Sequence, residues 1–151
     1  DLKTVDVGKL EARIAFERGA DIVSVMGFTS NKTILGALEA AREVGGEVIV
    51  DLMRVERLVD RVKELSSLGA RMFCVHTGID EGLVESRLDE IRELAKLGVE
   101  VGAAGGVNRE LMRKLWETGA KFVMVGRAIL GADDPAAEAR EFLKILRELN
   151  G

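Results

Sequence analysis

Three charged residues stand within the first six positions, Asp1, Lys3 and Asp6. Side chains two apart on an extended chain share a face, so Asp1 and Lys3 point into one cavity, with Leu2 and Thr4 behind them. Asp6 falls past this stretch, in a loop. A carboxylate beside an ammonium can hold a metal ion, or can keep the lysine charged to donate to a developing oxyanion; an ordinary exposed ion pair has the same spacing. In "EVIVDLM", Asp51 shares a face with Ile49 and Met53. An acid there is either buried with a partner or lines a pocket, since an unpaired buried carboxylate is costly, and the pocket is the preferred reading. His76, the only histidine, closes "MFCVHTG". It is either a satisfied core residue or an acid–base group suited to neutral pH. Glycines in turns such as "AAGGVN" and "VGRAI" can be purely geometric. Because the two turns close consecutive units, Gly105, Gly106, Gly126 and Arg127 are read together as a phosphate site of backbone amides and a guanidinium.

These residues share a place in the pattern. Helical stretches end in glycine at "RGADIVSVMG", "GGEVIVDLM", "LGARMFCVHTG", "LGVEVGAAGG" and "TGAKFVMVGRA", and a short apolar run follows each. The glycine suits the left-handed turn that ends a helix. Strands such as "DIVSV" and "KFVMV" are apolar nearly throughout, which predicts parallel strands buried on both faces. Between them, Leu58, Val62, Leu65 and Leu68 form one helical stripe and Leu88, Ile91, Leu94 and Ala95 another. Asn108 and Asp134 are candidate N-caps, the latter followed by Pro135 at the first helical position. The pattern predicts a single α/β domain over residues 1–151, with five parallel strands, a short stretch of a further strand at "DLKTV", and helical crossovers. In such folds ligands meet the carboxyl ends of the strands, which is where every polar candidate lies.

Composition narrows the partners. Lys and Arg total 22 against 26 Asp and Glu, so the broad positive field of a nucleic-acid binder is lacking. No apolar run approaches a membrane span and no signal-like segment opens the chain, so a cytoplasmic location is expected. Cys74 is the only cysteine, which excludes an internal disulfide and a Cys-based metal cage.

The ordered series "DLKTVD", "GADIVSVMG", "VIVDLM", "VHTGID", "AAGGV" and "VGRAI" closely resembles the 3-hexulose-6-phosphate synthases, (βα)8-barrel (TIM-barrel) enzymes of the orotidine-5′-phosphate decarboxylase superfamily. The acid-x-Lys-x-x-acid motif belongs to the wider superfamily; "VHTGID" points to the synthases. The related 3-keto-L-gulonate-6-phosphate decarboxylases carry Arg soon after the equivalent His, where this chain has Thr77 and Gly78.

The resemblance enters at the third barrel strand and implies an N-terminally incomplete barrel, strands three to eight. It further implies condensation of formaldehyde with ribulose 5-phosphate, or the reverse cleavage, through a Mg2+-bound enediolate. By motif, Asp1 would bind Mg2+ and Lys3 would hydrogen-bond the enediolate oxygens. His76 would move protons, Asp51 would order the polar network, and Gly106, Gly126 and Arg127 would take the phosphate. Asp6 would reach across a homodimer interface into the partner's site. Two earlier strands of the family carry a metal-binding Glu and a substrate-contacting Asp that no position here matches. The alternatives are the sugar-acid phosphate decarboxylase and a non-catalytic or engineered partial barrel that associates with itself.

Overall fold

The computed structural model describes residues 1–151. Five strands, β1 (Ile22–Met26), β2 (Glu47–Asp51), β3 (Met72–His76), β4 (Glu100–Ala104) and β5 (Phe122–Met124), form one all-parallel sheet in sequential order. Helix α1 (Gly8–Glu17) leads into β1. The crossovers carry α2 (Asn31–Val44), α3 (Leu58–Ser67), α4 (Leu88–Ala95) and α5 (Arg109–Glu117), and α6 (Arg127–Leu130) and α7 (Pro135–Leu149) close the chain. No helix is long and apolar enough to cross a membrane.

The two sheet faces are built differently. On the outer face Val23, Val25, Val48, Val50, Phe73, Val75, Val101 and Ala103 pack against the helices in one continuous core. Burying such aliphatic side chains supplies most of the fold's stabilisation, roughly 1.5–3 kcal/mol each before the entropy of ordering them is subtracted. The stripes on α3 and α4 bury Leu58, Val62 and Leu65, and Ile91 and Leu94. On the inner face a small separate cluster joins Ile49, Cys74 and Ala104 with the partly buried Met72, Phe122 and Met124. Gly102 is required there, because a β-carbon at that position would stand 2.2 Å from the Phe122 ring. Close approach of α1 and α2 also depends on glycine: a β-carbon on Gly8 would meet the Thr33 carbonyl oxygen at 1.9 Å.

The predicted caps form. Asn108 accepts from the Leu111 N–H at 2.8 Å and Asp134 from the Ala137 N–H at 2.9 Å. Two expectations are revised. "KFVMV" is not buried on both faces: Phe122, Val123 and Met124 are half-buried, because β5 is an edge strand with β4 as its sole neighbour. "DLKTV" is not a regular strand either; it touches the sheet through one bridge, Thr4 to Val25, because Lys3 turns to φ 49 and breaks the ladder.

Candidate active site

Strand register assembles the first half of the site. Met26 pairs with Asp51, Asp51 with Cys74, and His76 with Ala104, so Asp51 and His76 rise from adjacent strands on the inner face. Asp51 is 2% exposed, and a carboxylate that deep needs partners. It has them: the Met53 N–H donates to Oδ1 at 2.9 Å, and His76 Nδ1 lies 2.7 Å from Oδ2. A carboxylate so placed holds the proton on Nδ1 and leaves Nε2 as the open position of the ring. Lys3 Nζ stands 4.0 Å from the same Asp51 oxygen.

Asp1 and Lys3 share a side, as the spacing predicts. Lys3 Nζ donates to Asp1 Oδ2, and Ser24 on β1 donates to Asp1 Oδ1 at 2.5 Å. Thr4 turns the other way, is buried, and donates to Glu11 Oε2 at 2.7 Å. Asp1, Lys3, Asp51 and His76 thus form one chain of charge and hydrogen bonds at the carboxyl ends of the strands. Asp6 does not join it. It is exposed, and its Oδ1 accepts the Val7 N–H at 2.8 Å at the start of α1.

The second half sits where β4 and β5 end side by side, fixed by the pairing of Ala104 with Met124. Gly105 and Gly106 take φ 110 and 70. A β-carbon on Gly105 would stand 2.3 Å from the Thr77 carbonyl oxygen, so the turn tolerates no side chain there. The N–H groups of Gly105, Gly106 and Gly126 donate to no other backbone group. Arg127 is exposed and forms no ion pair. Open amides and an unpaired guanidinium are groups that can receive an anion.

The donor set can be tested against Mg2+. No three His, Cys, Asp or Glu side chains come together as a metal-holding group. Each oxygen of Asp1 and Asp51 already accepts from Ser24, Lys3, Met53 or pairs with His76. Mg2+ asks for one or two carboxylates and completes its shell with substrate oxygens and water. Half-exposed Asp1 meets that requirement at the rim, while Asp51 is committed to its partners. These residues fit an ion shared with substrate rather than one caged by protein. Cys74 takes no part: burial, and then the charge of Asp51, push its thiol far above the ordinary value.

Two further residues, Ser24 and Arg87, shape this cluster. Ser24 is legible only as a hydroxyl in the apolar run "IVSVM". Arg87 donates to the His76 carbonyl oxygen at 3.1 Å and to Glu90 Oε2 at 2.6 Å, fixing the end of β3. No sequence period signals it, because the contact depends on the 3₁₀ turn Val84–Arg87 folding back.

Comparison with known proteins identifies the family of the chain. Residues 1–142 match the orotidine 5′-phosphate decarboxylase / HUMPS family. The 3-hexulose-6-phosphate synthase of Mycobacterium gastri is 41% identical over 145 residues, 93% of this chain and 69% of that protein. The solved 3-hexulose-6-phosphate synthase from Salmonella typhimurium superposes with a TM-score of 0.89 at 35% identity, covering 99% of this chain and 72% of that one. The 3-keto-L-gulonate-6-phosphate decarboxylase from Vibrio cholerae gives 0.82 at 27% identity, covering 99% and 71%. This chain belongs to the orotidine 5′-phosphate decarboxylase / HUMPS family of enzymes.

Proposed function

We propose that this site joins formaldehyde to ribulose 5-phosphate to give 3-hexulose 6-phosphate, or runs the reverse cleavage. The observation that carries the reading is the continuous Asp1–Lys3–Asp51–His76 network at the strand ends. His76 Nε2, with its ring held by Asp51, takes the proton from the carbon beside the sugar carbonyl. The electron pair left on that carbon attacks the formaldehyde carbon, and as the new bond forms the formaldehyde oxygen takes up the proton that His76 Nε2 carries, which returns the imidazole to its starting state. Lys3 donates to the oxygens on which negative charge grows. Gly105, Gly106, Gly126 and Arg127 hold the phosphate and fix the sugar's orientation. Asp1 would be the residue to hold a Mg2+ ion, which would supply further polarisation of the substrate oxygens.

We place Asp6 in the site of a second copy of this chain. Support comes from its separation from the cluster and from the exposed Val7 just before α1 and Leu10 and Ile14 on it. Sedimentation of the protein and of Leu10→Glu checks this: a dimer is expected, weakened in the variant, and a monomer in both contradicts it.

Activity is tested by incubating the protein with formaldehyde, ribulose 5-phosphate and Mg2+ and following the hexulose phosphate. Product is expected; none under any metal condition ends the proposal. Carbon dioxide release from 3-keto-L-gulonate 6-phosphate would favour the decarboxylase, whose solved relatives share the fold.

A further inference from the structure

Ser24 is a polar residue in an otherwise apolar strand, 4% exposed, and the lyase chemistry proposed above gives it no part. A serine hydroxyl has one proton to donate and lone pairs to accept with. Here the proton goes to Asp1 Oδ1 at 2.5 Å, and a lone pair accepts the Lys3 N–H at 3.0 Å. One side chain therefore grips the carboxylate of one site residue and the backbone of the other.

The backbone grip falls where the chain is strained. Lys3 has φ 49, a left-handed value that a residue with a side chain adopts only when its surroundings impose it. The surroundings here are the Ser24 hydroxyl on its N–H and two ladder bonds on the next residue, Thr4 N–H to Ser24 O at 3.3 Å and Met26 N–H to Thr4 O at 2.9 Å. The Thr4 N–H bond holds the peptide plane after Lys3 and the Ser24 hydroxyl holds the plane before it, so the hydroxyl is the restraint on the N–H side of φ. Val7, at φ 44, shows the same device, with the Asp6 carboxylate accepting its N–H at 2.8 Å.

We propose that Ser24 is a positioning residue whose hydroxyl sets the left-handed turn at Lys3 and the orientation of Asp1, and so aims the Lys3 ammonium at the Asp51–His76 pair. Without it, the Lys3 N–H loses its acceptor, φ relaxes toward the extended region, and Nζ leaves its place 4.0 Å from Asp51 Oδ2. Since that place matters only when charge develops on bound substrate, the loss falls on turnover and not on sugar-phosphate binding, which the glycine turns carry.

The inference rests on the reading of Lys3 as a substrate-facing group, so the experiment separates the two. Wild type, Ser24→Ala, Ser24→Thr and Lys3→Ala are compared in the aldol assay, and the Ser24 variants are crystallised. Ser24→Ala is expected to lose about 10- to 100-fold in kcat with KM for ribulose 5-phosphate changed less than about threefold, and to release Lys3 from positive φ. Ser24→Thr keeps the hydroxyl and recovers most of the rate and the turn. A Ser24→Ala protein with Lys3 still left-handed and kcat intact overturns the proposal. So does a folded Ser24→Thr protein in which Lys3 has moved although the hydroxyl is present, an outcome that decides the matter even if the alanine variant does not fold. Full activity in Lys3→Ala would instead end the reading of Lys3, while its φ in the Ser24 variants still reports on Ser24.

Discussion

The two ends of the site solve the problem of polar groups near a core in opposite ways. At β1 to β3, Ser24, Asp1, Lys3, Asp51 and His76 satisfy one another, so their geometry exists before any ligand arrives. At β4 and β5, the amides of Gly105, Gly106 and Gly126 donate to no other backbone group and the guanidinium of Arg127 is exposed. The first end is preorganised by internal pairing, which favours stabilisation of charge that develops during reaction. The second leaves its donors open to an incoming anion, which would favour binding. Damage at the first end should therefore appear in kcat and damage at the second in KM.

The largest effect is expected from Asp51→Asn or His76→Ala, which remove the orienting carboxylate or the proton carrier and should lower kcat by about 100- to 10,000-fold. A KM effect alone would erase the distinction between the two ends. Asp51→Asn also leaves His76 without its charged partner inside the protein, so its melting temperature should fall as well. Next comes Arg127→Ala, which is expected to raise KM for the sugar phosphate about 10- to 100-fold through loss of charge-assisted hydrogen bonds, with kcat little changed. Steady-state kinetics with varied ribulose 5-phosphate checks both.

Gly106→Ala sharpens the comparison from the structural side. Its β-carbon would stand 2.2 Å from Leu83 Cδ2 at a residue with φ 70. Leu83 is half-exposed and its side chain can swing away, so the cost is the backbone strain, about 1 kcal/mol, read by thermal denaturation. Binding at the phosphate end should weaken in step.

The strands and helices were legible because buried parallel strands must be apolar and each follows a helix-ending glycine, as at Gly69 before β3 and Gly119 before β5. The strand-end position of Asp51 and His76 followed from the same pattern, but their pairing did not. Which neighbour an acid meets depends on register between β2 and β3, a tertiary fact with no local signal. Half-burial of β5 escaped for the same reason, since an edge strand and a central one can have the same composition. The turn at Lys3 was hidden because nothing in "DLKTVD" demands a positive φ; a hydroxyl more than twenty residues away holds it. The loop position of Asp6, past the first stretch, is legible from its spacing, and there its carboxylate accepts the Val7 N–H.

The smallest effect lies away from both ends. Arg109 reaches from α5 to Glu138 on α7, Nε to Oε1 at 2.8 Å, and holds that carboxyl below its ordinary value of 4.5. A carboxyl whose pKa is lowered by folding stabilises the native state above the ordinary value and loses that contribution as pH falls through the folded one. Melting temperature should therefore drop modestly on acidification below about 4.5. The drop should be smaller in Glu138→Gln, with the β1 to β3 end left as it was. Arg109 is half-exposed, so the contribution should also shrink with added salt.

The most direct test of the central claim, that both ends grasp one sugar phosphate, is a titration of the isotope-labelled protein with ribulose 5-phosphate followed by NMR. Amide signals from Lys3 and His76 and from Gly106, Gly126 and Arg127 should shift together along a single binding curve. Two curves with different midpoints, or shifts confined to one set of residues, would contradict it.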